Sequence, residues 1–126
     1  MAPAAAPTVL VVEDDPVILR LLEVNFDLEG FSVLVAQDGA EGIEVAQAKR
    51  PDVIVSDIMM PKVSGLELVE TLKADPTTAS IPIILLSAKA QSGDLKLGMD
   101  SGADDYVTKP FEPLDLIDRV NALLSR

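Results

Sequence analysis

Residues 52–61 read Asp52-Val53-Ile54-Val55-Ser56-Asp57-Ile58-Met59-Met60-Pro61. The apolar, β-branched run predicts a strand over 52–56 buried on both faces, as in a parallel sheet covered by helices. It ends at Asp57, and a proline-containing turn follows. Open α/β sheets hold their ligands at the C-terminal lips of such strands.

The same pattern recurs on either side of this stretch. Strands are predicted over 8–12, 31–36, 82–87 and 104–108. Val9-Leu10-Val11-Val12 runs into Glu13-Asp14, Ile83-Ile84-Leu85-Leu86 into Ser87, and the polar Asp104-Asp105-Tyr106-Val107-Thr108 into Lys109. The polar last run suits a sheet edge. Acids, a hydroxyl and an amine at four strand ends point to a site that handles phosphoryl groups.

Amphipathic helices are predicted between the strands. Ile18, Leu21, Leu22 and Leu28 form the expected stripe of the first, and Ala40, Ile43 and Ala46 that of the second. Leu66, Val69 and Leu72 line the third, and Leu116, Ile117, Val120 and Leu124 the fifth. The fourth, about 93–101, is weakest, since Gly93 and Gly98 each lower helix propensity by up to ~1 kcal/mol relative to Ala. Gly30, Gly39 and Gly102 punctuate the joins.

Five βα units with short connections imply right-handed crossovers and an α/β, doubly wound five-stranded parallel sheet with five helices. Strand order 2-1-3-4-5 sets the ends of strands 1 and 3 side by side at the switch point, so Glu13, Asp14 and Asp57 share one crevice.

The chain's 126 residues suit one domain, with residues 1–7 expected as a disordered tail and 8–126 as the folded unit. Hydrophobic residues make up 48% and aromatic ones 3%, so the core must be aliphatic. A net charge of −11 argues against direct nucleic-acid binding and against anionic membranes. Cysteine and histidine are absent, which excludes disulfides, thiolate metal sites, Ser-His pairs and a phosphohistidine on this chain. No apolar run approaches the ~20 residues that span a bilayer, and Met1–Pro7 lacks the features of a signal peptide; the expected location is cytoplasmic.

Asp15-Pro16 reads as a helix N-cap followed by proline at the first helical position, which leaves Glu13 and Asp14 at the lip. Two carboxylates ~4 Å apart repel by about 4 kcal/mol at an effective dielectric near 20. Lys109 offsets one charge of three; a divalent cation offsets the rest, and an all-oxygen ligand set favours Mg²⁺. The alternative is a solvated acidic rim with raised pKa values. Asp57 has two candidate roles, metal ligand or nucleophile toward phosphorus. Ser87 is a candidate donor to a phosphoryl oxygen, or a plain strand-end residue; Lys109 is a candidate phosphoryl contact, or a surface lysine. The Lys109-Pro110 bond is of the type at which cis peptides occur. Tyr106, the only tyrosine, sits mid-strand at the predicted edge, where partial burial in the core is expected.

Together these residues resemble the receiver domain of two-component response regulators. The resemblance rests on Glu13-Asp14, Asp57 with Met59-Met60-Pro61 and Gly65, Ser87-Ala88, Gly102-Ala103-Asp104-Asp105-Tyr106, and Lys109-Pro110-Phe111, and it covers residues 8–126. It implies a signalling switch, not an enzyme, that supports its own phosphotransfer and slow autodephosphorylation. Asp57 would be the phosphoacceptor, supplied by a histidine kinase or a histidine phosphotransfer protein. Asp14, Asp57 and the main-chain carbonyl of Met59 would hold Mg²⁺, with Glu13 acting through water. Lys109 would contact phosphoryl oxygens, while Ser87 and Tyr106 form the switch. Output would pass to an effector protein through the fourth helix, fifth strand and fifth helix.

The Gly-Ala-Asp-Asp-Tyr and Lys-Pro-Phe runs look most like the branch preceding winged-helix DNA-binding domains, which dimerises through charges on that surface. Asp105 is expected to meet Arg119, and Asp104 is a further charge there. Leu95 and Asn121 occupy positions often basic in that branch, and Leu95 and Leu97 are candidates to face a partner. A monomer or weak phosphorylation-dependent dimer is expected. A free-standing relay or adaptor is the first reading of the output; a receiver excised from a DNA-binding transcriptional regulator is the second. A haloacid-dehalogenase-type phosphatase needs an Asp where Met59 stands, and an unphosphorylated pseudo-receiver would lack site residues that are all present here. Met59 and Lys89 flank the site and are expected to influence hydrolysis.

Overall fold

The computed structural model describes residues 6–60, 63–88, 102–109 and 111–125. Five parallel strands form one sheet: β1 (Thr8–Val12), β2 (Ser32–Ala36), β3 (Val53–Asp57), β4 (Ile83–Ala88) and β5 (Asp105–Lys109), in the order β2-β1-β3-β4-β5. The described helices are α1 (Pro16–Leu28), α2 (Gly39–Lys49), α3 (Gly65–Ala74) and α4 (Pro113–Leu124). This α4 is the fifth helix of the sequence reading. The helix expected at 93–101, with Lys89, Leu95 and Leu97, lies outside the described residues, as do Pro61, Pro110 and most of the expected tail.

Four strands lie one residue from their predicted limits at one or both ends, and the shift matters at the lips. Asp57 and Lys109 are the last residues of their strands rather than the first beyond them, and Ser87 lies inside β4. The central strands are buried on both faces, which separates the core into two layers. Val9, Val11, Val53, Val55, Ile84 and Leu86 meet α1 and α4. Leu10, Val12, Ile54, Leu85 and Tyr106 share the other layer with α3.

The expected stripe of α1 needs correction. Leu19, Leu22 and Phe26 are its buried residues, whereas Leu21 and Leu28 are 46% and 77% exposed. Apolar residues nearly encircle this helix, so periodicity supports more than one stripe, and packing selects the one that carries Phe26 edge-on against Phe31. The other stripes keep their residues buried or half-buried, and α3 adds Leu68.

Two local features fix the loops. Asp15 caps α1, its Oδ1 accepting from the N–H of Val17 at 2.9 Å, with Pro16 opening the helix. Gly65 starts α3 pressed against the end of β3: a Cβ there would collide with the Asp57 carbonyl oxygen and stand 2.9 Å from Ile58 Cα. The Gly65 N–H meanwhile donates to the Ile58 carbonyl at 2.9 Å.

At the opposite, N-terminal end of the strands, a lysine ties three segments together. Lys73 Nζ donates to the carbonyls of Ala79 (3.3 Å) and Ile81 (2.8 Å) and to Asp104 Oδ2 (3.1 Å). That same oxygen accepts from the Ile83 N–H at 2.9 Å.

Candidate acidic site at the strand ends

The topology brings the predicted lip residues together. Glu13 follows β1, Asp57 ends β3, and Lys109 ends β5 across the sheet. One carboxylate oxygen from each of Glu13, Asp14 and Asp57 lies within 4.8 Å of the others. Lys109 Nζ donates to Glu13 Oε1 at 2.8 Å and stands 3.3 Å from Asp57 Oδ2. Successive side chains at a strand end point to opposite sides, so the two adjacent acids separate: Glu13 is fully buried while Asp14 is exposed. Asp57 is 6% exposed.

Ser87 is fully buried in β4, one residue beyond the pair Asp57–Leu86, and is registered with Thr108 of β5. Tyr106 is buried with Ile83, Leu85 and Ala103, and its hydroxyl has no hydrogen-bond partner among the described residues. Met59 is 61% exposed at the mouth of the site.

Among the described residues the cluster is under-neutralised, with one ammonium among three carboxyl groups. Burial pushes the Glu13 carboxyl up; the Lys109 hydrogen bond opposes this and Asp57 adds to it, leaving Glu13 at about 7 against an ordinary 4.5. Burial disfavours the Lys109 ammonium, but Glu13 and Asp57 outweigh it and hold its pKa above the usual 10.5. Lys109 is therefore charged at neutral pH.

The donor set fits a hard cation. All three candidate ligands are carboxylates, without nitrogen or sulfur, and one side of the cluster is open to water. Glu13 is the least suited to bind directly: Oε1 accepts from Lys109, and Oε2 accepts from the Asp14 N–H at 3.1 Å.

The expected pair Asp105–Arg119 forms at 2.9 Å. Asp104, read from sequence as a charge on the same surface, is instead engaged by Lys73 and the Ile83 N–H. No sequence signal announced that partnership, because residues 73 and 104 lie 31 positions apart and each looks like an ordinary surface charge.

Residues 9–121 match the family model described as the response regulator receiver domain. The chain is 43% identical to the DNA-binding dual master transcriptional regulator RpaA of Synechocystis sp., over 95% of this chain and 50% of that protein. It is 42% identical to the alkaline phosphatase synthesis transcriptional regulatory protein PhoP of Bacillus subtilis, over 94% of this chain and 48% of that one. The chain thus spans about half the length of these curated relatives. Among solved structures, the Francisella response regulator 1452 receiver domain superposes with a TM-score of 0.87 at 39% identity, covering 95% of this chain and 98% of that one. The receiver domain of the Pseudomonas aeruginosa sensor histidine kinase PA1611, with magnesium coordinated in its active site cleft, gives 0.90 at 29% identity, covering 97% and 100%. With its fold, its acidic lip and its sequence in agreement, the chain belongs to the response regulator receiver domain family.

Proposed function

We propose that this domain is a phosphorylation-driven signalling switch that accepts a phosphoryl group on Asp57 from the phosphohistidine of a histidine kinase or a histidine phosphotransfer protein. The observation that carries this reading is the position of Asp57 at the open lip of β3, 3.3 Å from Lys109 and within the carboxylate cluster. An Asp57 oxygen attacks phosphorus, a P–O bond forms as the P–N bond of the donor breaks, and the imidazole leaves with the electron pair. Bound Mg²⁺ would supply charge neutralisation for the phosphoryl oxygens.

Asp14 and Asp57 would hold that ion, joined by the Met59 carbonyl; Glu13, with both oxygens already engaged, would act through water. Lys109, hydrogen-bonded to Glu13, would contact a phosphoryl oxygen. Ser87 and Tyr106 are assigned as the switch pair: the added negative charge favours one of two pre-existing arrangements. Output then passes to an effector protein through the surface that includes β5 and α4. At a net charge of −11 this domain itself offers no cationic face for nucleic acid. No described helix is long and apolar enough to cross a membrane, and the reading carries a cytoplasmic location.

Intact mass after incubation with acetyl phosphate and Mg²⁺ tests the assignment. One phosphoryl adduct is expected, dependent on Mg²⁺ and absent from Asp57→Asn. An adduct of equal yield in Asp57→Asn removes Asp57 from its role.

A further inference from the structure

Two glycines in the first turn of α2 sit against different kinds of neighbour. Gly39, the first residue of the helix, lies against backbone. A Cβ there would collide with the Val63 carbonyl oxygen and stand 2.8 Å from the Val63 carbonyl carbon. Gly42 lies against side chains: a Cβ there would stand 2.9 Å from Val12 Cγ2 and 3.0 Å from Leu68 Cδ1. Neither residue has a positive φ, so close contact rather than backbone conformation disfavours a side chain at both.

The α2 side of the Gly39 contact is stiff. Asp38 accepts from the Glu41 N–H at 2.8 Å, and Glu41 Oε1 accepts from the Gln37 N–H at 2.6 Å, which fastens the first turn at both ends. On the other side, Val63 leads directly into α3. Ser64 caps that helix by accepting from the Glu67 N–H at 3.2 Å, and Gly65 is seated on the Asp57 carbonyl. Val63 is thereby held between α2 and α3.

The segment that ends at Val63 begins at an equally firm point. The Ile58 N–H donates to the Leu86 carbonyl of β4 at 2.9 Å, and the Ile58 carbonyl accepts from the Gly65 N–H at 2.9 Å. Met59 comes next, and among the described residues no hydrogen bond holds its peptide. The direction of its carbonyl is set by the anchored ends of the segment and by Met60, which packs on the core layer that α2 and α3 share.

We propose that Gly39 is a positioning residue for the cation site: by letting α2 begin against the Val63 peptide, it fixes the far end of the segment whose near end presents the Met59 carbonyl. The inference rests on the proposed ligation of Mg²⁺ by Asp14, Asp57 and that carbonyl. Mg²⁺ demands near-ideal octahedral geometry at about 2.0–2.1 Å, so a slightly displaced ligand is a poor one. A methyl group at residue 39 pushes the Val63 peptide away, because the fastened helix does not yield, and the carbonyl moves with its segment. At residue 42 a methyl group meets side chains of the core and leaves the segment in place.

The test is titration of the full chain with MgCl₂, read from amide chemical shifts, in wild type, Gly39→Ala and Gly42→Ala. Urea unfolding of each without divalent ions reports the fold separately. In Gly39→Ala the Mg²⁺ dissociation constant should rise about tenfold, the scale for losing a group that orients a metal ligand. In Gly42→Ala it should stay near wild type whatever the change in stability. Titration with CaCl₂ should show a smaller loss in Gly39→Ala, since Ca²⁺ accepts irregular geometry. Should Gly39→Ala fail to fold, Val63→Gly loosens the same contact from the other side, and a rise of at least about threefold in the Mg²⁺ constant is expected there. Wild-type Mg²⁺ affinity in the folded variant overturns the inference and leaves the phosphoryl reading standing. So does an equal loss in Gly42→Ala, which makes the effect one of packing alone. A wild-type chain that takes up no Mg²⁺ overturns the metal reading itself.

Discussion

Two lysines make closely similar short contacts to aspartate or glutamate at opposite ends of one sheet, yet only one of them stands in a reactive setting. Lys73 has three acceptors, two of them carbonyls, and its partner Asp104 also takes the Ile83 N–H. Charge and hydrogen bonding are balanced there, and the cluster acts as a strut joining α3, the loop before β4 and the start of β5. Lys109 faces two carboxylates with a third nearby, and among the described residues no second cation balances the remainder. A saturated ion pair holds a fold together; an under-neutralised one is ready to receive a cation and an anion from outside.

The sharpest way to separate the two is to remove each ammonium. Lys109→Met is expected to slow Mg²⁺-dependent phosphoryl uptake from acetyl phosphate by about 100-fold or more, the scale set by one positioned donor to developing negative charge. Time-resolved intact mass reads this. Its stability should change little, since Glu13 can protonate once the ammonium is gone. Lys73→Met should do the reverse: a loss of about 1–3 kcal/mol in urea unfolding, from a carboxylate that loses its counter-charge and two carbonyls that lose a donor, with uptake rates near wild type. A Lys73→Met protein that stays folded but fails to take up phosphoryl groups would erase the distinction.

The pH dependence sharpens it further. Glu13 titrates at about 7 folded against an ordinary 4.5, so between these values the folded state binds more protons than the unfolded one. Its contribution to stability is therefore fully present below about 4.5 and lost as pH rises through about 7. Urea unfolding without Mg²⁺ should show this decline in wild type and not in Glu13→Gln, whereas Lys73→Met should retain it. The smallest expected effect is at the β5 edge, where the half-exposed Arg119 makes its pair with Asp105. Arg119→Ala should cost about 0.5 kcal/mol or less, and less again in high salt.

The frame of this molecule was legible because buried parallel strands are written as continuous Val, Ile and Leu runs, with short connections that admit few topologies. The site was legible for the same reason: residues at the ends of such runs must share one lip. What stayed hidden depended on side-chain direction and on distant pairings. Nothing in Glu13-Asp14 tells which acid turns inward to Lys109, since strand alternation decides it only once the register is known. In α1, Val17, Leu21, Val24 and Leu28 compete with Leu19, Leu22 and Phe26 for the core, and periodicity alone cannot choose between them. The Lys73–Asp104 strut depends on a tertiary contact that neither local sequence announces.

The seating of Gly65 against the last peptide of β3 also has an evolutionary consequence. A helix that starts within atomic contact of the Asp57 carbonyl leaves no room for a side chain there. On the proposed function, drift in how fast a phosphoryl group is gained and shed would proceed through solvent-facing positions such as Met59, while the hinge between acid and helix stays closed to tinkering.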